Sequence, residues 1–244
     1  MKADSAVQRG LLDLAEADAE LTRIDHRRRT APELAEIADA EKAVQARRDA
    51  RVAVQTQADD LDREAAKQEK EIDAVRARED RDRKLLDGGA GARQVADLEH
   101  ELASLIKRKA ALEDDLLELM ERREAVEADC QHTAVELEKA EAALADVRAR
   151  HQENLADLDT QQARREAERA TRAATFPEAL LALYERKRAA KGIGAALLRA
   201  RRCGACRLEL DRRVMSTIKD TAPDEVVECE ECGVILVRTP ESGL

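Results

Sequence analysis

The chain has 244 residues, a formal net charge of −10, 39% charged residues and 1% aromatics, the aromatics being Phe176 and Tyr184. A compact core draws much of its buried area from aromatic side chains, and small-molecule pockets are walled by apolar and aromatic groups, so this composition argues against a globular enzyme. The acidic balance argues against tight, non-specific coating of nucleic acid, while the dominance of Ala, Glu, Leu and Arg matches a coiled coil or long helix.

The opening residues, MKADSAVQRG, lack the apolar stretch of a signal peptide. No apolar run approaches the ~18–20 residues that cross a bilayer. The expected location is therefore the cytoplasm, with no membrane partner. Residues 5–29 read as a first helix, with Leu11, Leu14, Leu21 and Ile24 on one stripe. In "RTAPEL", Thr30 and Glu33 have the spacing of a capping box and Pro32 suits the first turn of a following helix, which predicts a kink near 30–32.

The second helix is expected to run to about residue 86. Its seam steps by three and four from Ile37 through Val44, Val54, Ala58 and Ile72 to Val75, spotted by Arg47, Arg51 and Gln68. The stretch "DGGAG" at 87–91 then breaks the helix. A third helix, 92–172, carries a clearer seam from Val95, Leu98, Leu102 and Leu105 to Leu144, Val147 and Leu158, with Lys109, Arg123, Thr133, His151 and Asn154 as polar insertions. Such a repeat specifies a left-handed coiled coil. Two arms of similar length, each roughly 120 Å at 1.5 Å per residue, joined by a short turn, predict an intramolecular antiparallel hairpin. Pairing of the stronger arm with a second chain is the alternative, so the expected state is a monomer or weak homodimer. Cys130 on the seam reads as a small buried hydrophobe, with a redox crosslink as its alternative. His151 and Asn154 read as register-setting polar residues.

Pro177 stops the third helix. A short helix follows at 177–190 with Leu180, Leu181 and Tyr184 on its apolar face, then an extended segment at 193–202 entered through Gly192 and Gly194. The expected domains are thus 1–175, the helical hairpin, and 176–244, a linker helix with a small cysteine-bearing domain.

That last region carries the chemistry. Cys203 and Cys206 form one C-x-x-C pair, Cys229 and Cys232 another, with 22 residues between the pairs. A tight turn across C-x-x-C brings two thiolates to one side of an ion, and two such knuckles complete a tetrahedral site. Gly204 and Gly233 fit turns with unusual backbone angles. Residues 225–228 and 234–238 read as strands, and 211–220 as a short helix capped by Asp211. A strand, knuckle and strand around a metal is a zinc ribbon. Four thiolates leave no open position for water or substrate, so the expected cofactor is one structural Zn²⁺ per chain and the protein is not expected to be an enzyme. A ribbon of about 40 residues has almost no core of its own, and the metal should supply much of its folding free energy. A redox dithiol competes with this reading, but two pairs are present and no thioredoxin-like βαβ pattern surrounds them.

The most basic stretch, "ERKRAAKGIGAALLRARR", contributes Arg186, Lys187, Arg188, Lys191, Arg199, Arg201 and Arg202, with Arg207 just beyond. These are candidate nucleic-acid contacts; the bland alternative is a solvated collar. Stacking platforms are not expected without aromatics. Near the hairpin tip, Arg76, Arg78, Arg81, Arg83 and Lys84 alternate with Glu79, Asp80 and Asp82, as in a solvated face or a docking tip.

The knuckles "CGAC" and "CEECGVILV", together with "RKLLDGG", "DLEHELASL", "ALEDDLLELMERRE" and "EALLALYERKR" followed by spaced glycines, resemble the bacterial C4-type zinc ribbon family with an N-terminal coiled-coil hairpin. The resemblance covers nearly the whole chain. It implies a mainly α fold, a long antiparallel coiled-coil hairpin followed by a small C-terminal four-cysteine zinc ribbon, with zinc at Cys203, Cys206, Cys229 and Cys232. It further implies an adaptor or chaperone role in gene regulation and nucleic-acid binding, with no shared enzymatic activity. The family often has Arg after the last Cys-Gly; Val234 stands there in this chain, which suggests that any such contact has moved, with Arg238 as the candidate.

The functional expectation is a non-enzymatic adaptor with a protein partner, a nucleic-acid partner or both, and no small-molecule substrate. Specific DNA or RNA binding through the basic collar is the first alternative, and a coiled-coil spacer the second.

Overall fold

Three helices occupy most of the chain in the computed structural model, which describes residues 1–89 and 91–244: α1 (Ser5–Arg29), α2 (Glu33–Asp87) and α3 (Ala92–Ala173). Of the expected 87–91 turn, Ala90 lies outside the described residues. Among those described, no helix is long and apolar enough to cross a membrane. The chain forms two compact units, residues 35–149 and residues 1–34 with 150–244.

Residues 35–149 are the hairpin. The α2 seam buries Val44, Ala58, Ile72 and Val75, and the α3 seam buries Leu105, Leu119, Val126, Leu137 and Leu144. Val44, Leu137 and Leu144 make one cluster, flanked by Ile37, Ala40 and Ala140. Polar pairs rise along one helix as they fall along the other: Arg148 with Glu41 at 2.6 Å, Arg48 with Glu141 at 2.7 Å, Arg123 with Asp62 at 2.7 Å and Arg76 with Glu113 at 2.8 Å. That order is antiparallel, and both seams are used within one chain. Lys109, an insertion in the α3 seam, donates to the buried Glu79 carboxylate at 3.0 Å, which also accepts from Arg83. Arg47 and Arg51 are exposed, so the α2 seam opens there as its sequence suggested.

In the other unit, α1 begins where the Asp4 carboxylate accepts from the Ala6 N–H at 2.7 Å. It ends where both the N–H and the hydroxyl of Thr30 donate to the His26 carbonyl. The expected capping box is therefore not formed. Thr30 closes α1 instead of opening α2, and the Glu33 carboxylate accepts from Asn154 Nδ2 at 3.2 Å. α1 runs antiparallel to the last turns of α3: Arg28 pairs with Asp159, Arg27 donates to Gln161 at 3.0 Å, and Arg172 donates to the Asp13 carbonyl at 2.7 Å. Pro177 precedes α4 (Glu178–Lys191), which stops at Gly192 in the left-handed region, φ 77°.

Four short strands follow: β1 (Ala195–Arg199), β2 (Arg202–Cys203), β3 (Val227–Glu228) and β4 (Ile235–Val237). They form one sheet in the order β2-β1-β4-β3, with β1 parallel to β4 and the other pairs antiparallel. The chain's first residues pair with the segment just before β3. Lys2 bridges Glu225, with Ala3 N–H to Asp224 carbonyl at 2.7 Å and Val226 N–H to Met1 carbonyl at 2.9 Å. A nine-residue helix, α5 (Arg212–Asp220), is capped by Asp211 as expected.

Side chains alternate across this sheet with the period of two that a pleat imposes. Ala195, Ile235 and Val237 face one way, onto Leu11 and Leu14 of α1 and Leu180, Leu183 and Tyr184 of α4. Leu198 and Leu236 face the other way, onto Leu210, Met215 and Ile218 and the cysteines. The expectation of a nearly coreless ribbon is corrected by this arrangement. The sheet has an apolar layer on each face, because α1 and α4 supply one that the ribbon segment alone lacks. Gly194 makes room for that layer: a Cβ there would lie 2.5–2.7 Å from the Tyr184 ring.

Candidate metal centre

The two knuckles repeat one local design. In the first, the Arg207 N–H donates to the Cys203 carbonyl at 2.8 Å and the Cys203 N–H to the Leu208 carbonyl at 3.0 Å. In the second, the Gly233 N–H donates to the Cys229 carbonyl at 2.8 Å and the Cys229 N–H to the Val234 carbonyl at 2.9 Å. The residue after each second cysteine takes positive φ, 64° at Arg207 and 74° at Gly233. Gly233 thus meets the conformational demand expected of it, but Gly204 does not. Gly204 is required for space, since a Cβ there would sit 2.8 Å from the Leu197 carbonyl oxygen.

These turns gather the sulfurs of Cys203, Cys206, Cys229 and Cys232 within 4.8 Å of one another. Cys203 Sγ lies 3.8 Å from Cys232 Sγ, and Cys206 Sγ 4.0 Å from Cys229 Sγ. An ion bound tetrahedrally by four thiolates at ~2.3 Å holds its sulfurs about 3.8 Å apart, so the cluster fits a single such ion. Backbone N–H groups aim at the sulfurs: Ala205 and Cys206 at Cys203, Leu208 at Cys206, and Glu231 and Cys232 at Cys229. Burial pushes the Cys203 thiol up to about 12 and raises that of Cys229. The Leu208 N–H holds the Cys206 thiol below its ordinary value. A cation held between them would offset the burial cost of the thiolates, and the inward wall of Leu198, Met215, Ile218 and Leu236 keeps water away on that side.

The basic residues singled out in sequence divide into two groups. Arg188 donates to the buried Asp18 carboxylate at 3.0 Å and to Glu185 at 3.5 Å. Lys187 pairs with Glu228, Arg199 with Glu241 at 3.2 Å, and Arg201 and Arg202 with Glu209 at 3.0 and 3.6 Å. Arg186, Lys191 and Arg207 are exposed, and among the described residues no carboxylate pairs with them. Arg238, the candidate for a relocated partner contact, is committed internally. Its guanidinium donates to the carbonyls of Ile218, Thr221, Ala222, Pro223 and Glu225, closing α5 and shaping the loop to β3. Val234 is buried. The Arg238 clamp was not legible in the sequence, since its acceptors are main-chain groups brought together only by the fold.

Comparison with known proteins agrees with this architecture. The model of the CT398-like coiled coil hairpin domain matches residues 14–192, and that of the C4-type zinc ribbon domain matches residues 202–236. An uncharacterized protein of Mycobacterium tuberculosis strain H37Rv is 46% identical over 242 residues, covering 98% of both chains. A solved structure from Mycobacterium smegmatis superimposes with a TM-score of 0.90 at 40% identity, over 98% of this chain and 100% of that one. CT398 from Chlamydia trachomatis has the same fold at 18% identity, with a TM-score of 0.69 over 95% of this chain and 97% of its own. The chain belongs to the CT398-like coiled-coil hairpin family, with a C4-type zinc ribbon following the hairpin.

Proposed function

We propose that this protein is a non-enzymatic adaptor in which one structural zinc ion per chain fixes the ribbon, and the ribbon and hairpin offer surfaces to a protein partner in gene regulation. The observation that carries this reading is the four-sulfur cluster. Its members are by themselves the full ligand set of a tetrahedral ion, so the metal has a scaffolding task and no vacant position for substrate. Four thiolates at this spacing suit zinc, a borderline-soft ion that accepts tetrahedral sulfur coordination.

A nucleic-acid partner is the second reading, favoured by the free cations Arg186, Lys191 and Arg207. It ranks second because Lys187, Arg188, Arg199, Arg201 and Arg202 already face carboxylates, and phosphate binding gains from cations that are not neutralised.

Zinc content of the full chain, measured by mass spectrometry after purification without chelator, should be one ion per chain. Photo-crosslinking from positions 186, 191 and 207 in cells then separates the readings. Protein adducts that survive nuclease support the adaptor. Adducts that vanish with nuclease put nucleic-acid binding first, and the absence of adducts of either kind rules out this face of α4 and the ribbon as the contact surface.

A further inference from the structure

Besides the buried seam, α3 carries a second stripe in steps of four and three: Ile106, Ala110, Glu113, Leu117 and Met120. A heptad stripe of this kind is ordinarily a helix-packing surface, yet Ile106 is 46% exposed, Leu117 59% and Met120 58%. The stripe borders a groove of about 440 Å³ between the two hairpin helices, walled by Glu69, Ile72, Asp73 and Arg76 of α2 and by Glu113, Leu116, Leu117 and Met120 of α3.

The groove's electrostatics are one-sided. Residues 35–149 carry the whole of the chain's net charge of −10. Over 110–121, α3 has Glu113, Asp114, Asp115, Glu118 and Glu121 and no cation. Arg76, the cation in the groove wall, is held by Glu113 at 2.8 Å and Asp73 at 3.6 Å. The apolar floor is thus ringed by carboxylates in excess.

We propose that this groove docks a basic amphipathic helix of a partner protein, laid alongside the hairpin as a third strand. Its apolar residues at i and i+3/i+4 would meet Met120 and Leu117, one at i+14 on the same stripe would meet Ile106, and its flanking Lys and Arg would meet Glu69 and share Asp73 and Glu113 with Arg76. Helix-in-groove recognition reads this pattern of anchors, and the unbranched Met side chain adapts to varied ones. The stripe spans 106–120, which at 1.5 Å per residue is about 21 Å, or roughly four turns of partner helix. The inference rests on the adaptor reading only in taking the partner to be a protein. It needs no metal, so its failure and that of the zinc assignment are separable.

The test uses the full chain and a fluorescent helical peptide of leucines on one face flanked by lysines, titrated by anisotropy at about 0.15 M salt, where long-range attraction is screened. Saturable binding is expected, at least about tenfold tighter than for a scrambled peptide of the same composition or a glutamate-for-lysine version. Leu117→Ser with Met120→Ser should weaken it about tenfold, as loss of two anchors does, while Val52→Ser, at another exposed apolar position, leaves it unchanged. Both serine positions are exposed, and a thermal melt verifies that the variants fold. No saturable binding, equal binding of the scrambled peptide, or indifference to the double substitution overturns the proposal. Self-association abolished by the same double substitution also overturns it, by making a second copy the occupant.

Discussion

The Tyr184 hydroxyl donates to Oδ2 of Asp18 at 2.6 Å, tying α4 to α1 across 166 positions of chain. The other Asp18 oxygen accepts from Arg169 at 2.5 Å and from Arg188 at 3.0 Å, and Asp18 is 3% exposed. A buried carboxylate of this kind is tolerated because both of its oxygens meet donors, two of them cationic. Burial and the neighbouring carboxylate both push the Tyr184 phenol up, so it stays a donor.

Tyr184→Phe should therefore cost about 1–2 kcal/mol of unfolding free energy, the penalty for one lost hydrogen bond in a buried network. Asp18→Ala should cost more, about 2–3 kcal/mol, because it removes the acceptor shared by Tyr184, Arg169 and Arg188 and leaves the two guanidinium groups only Glu185. Urea unfolding checks both. Arg188 belongs to this network, so its substitution perturbs the fold, and charge removal at Arg186, Lys191 and Arg207 is the cleaner probe of nucleic-acid binding.

Equivalent backbone positions in the two knuckles hold Arg207 and Gly233, both at positive φ. Gly233→Ala should destabilise the ribbon by about 1 kcal/mol and Arg207→Gly should stabilise it by a similar amount, since only the arginine is strained there. The melting temperature of the metal-loaded protein reads both. Stability unchanged by Arg207→Gly would show that its strain is compensated by contacts of the side chain.

Removing the metal should loosen the apolar layer around Leu198, Met215, Ile218 and Leu236 and leave the hairpin standing, because residues 35–149 pack on their own seams. Chelation should then leave helical circular dichroism largely intact while raising proteolysis between residues 203 and 232. Metal retention should weaken as pH falls, since protons compete for the thiolates the ion needs. Loss of most helical signal on chelation would refute the separation.

Glu79 is buried in the hairpin, and the hydrogen bond from Lys109, then the nearby Arg83, Lys109 and Arg76 charges, hold its carboxyl below the usual carboxylate range, against the opposing effect of burial. A carboxylate with a folded-state pKa below its unfolded value stabilises the fold above that unfolded value and ceases to do so as pH falls through the lowered one. Glu79→Gln should lower the hairpin's melting temperature at pH 7 and flatten its decline below about pH 4.5. An unaltered acid profile would mean that other carboxylates dominate.

Helix boundaries and seams were legible because period and breakers are local properties. Val44, Ala58 and Ile72 recur at multiples of seven, as do Leu105, Leu119 and Val126, and Pro177 and Gly192 bound α4. The turn joining β1 to β2 was not legible. Ala200 and Arg201 take φ of 45° and 66°, where Asn-Gly would be the usual signal. They are held there by N–H bonds to the carbonyls of Glu241 and Ser242, at 2.9 and 3.0 Å. Ser242, fully buried, donates its hydroxyl to the Leu198 carbonyl at 2.8 Å.

The amino-acid order alone determined the hairpin, its seams and the two cysteine pairs that gather into one sulfur cluster, because heptad repeats and C-x-x-C spacing act over a few residues. Only the tertiary structure decided which charges remain available and what supports the ribbon. Arg188 and Arg238 are consumed by Asp18 and by main-chain carbonyls, and Leu11, Leu14 and Tyr184 complete a core for strands far along the chain. Those outcomes depend on groups brought together from distant parts of the chain, and a side chain's charge or apolar surface does not specify in advance which partner it will meet.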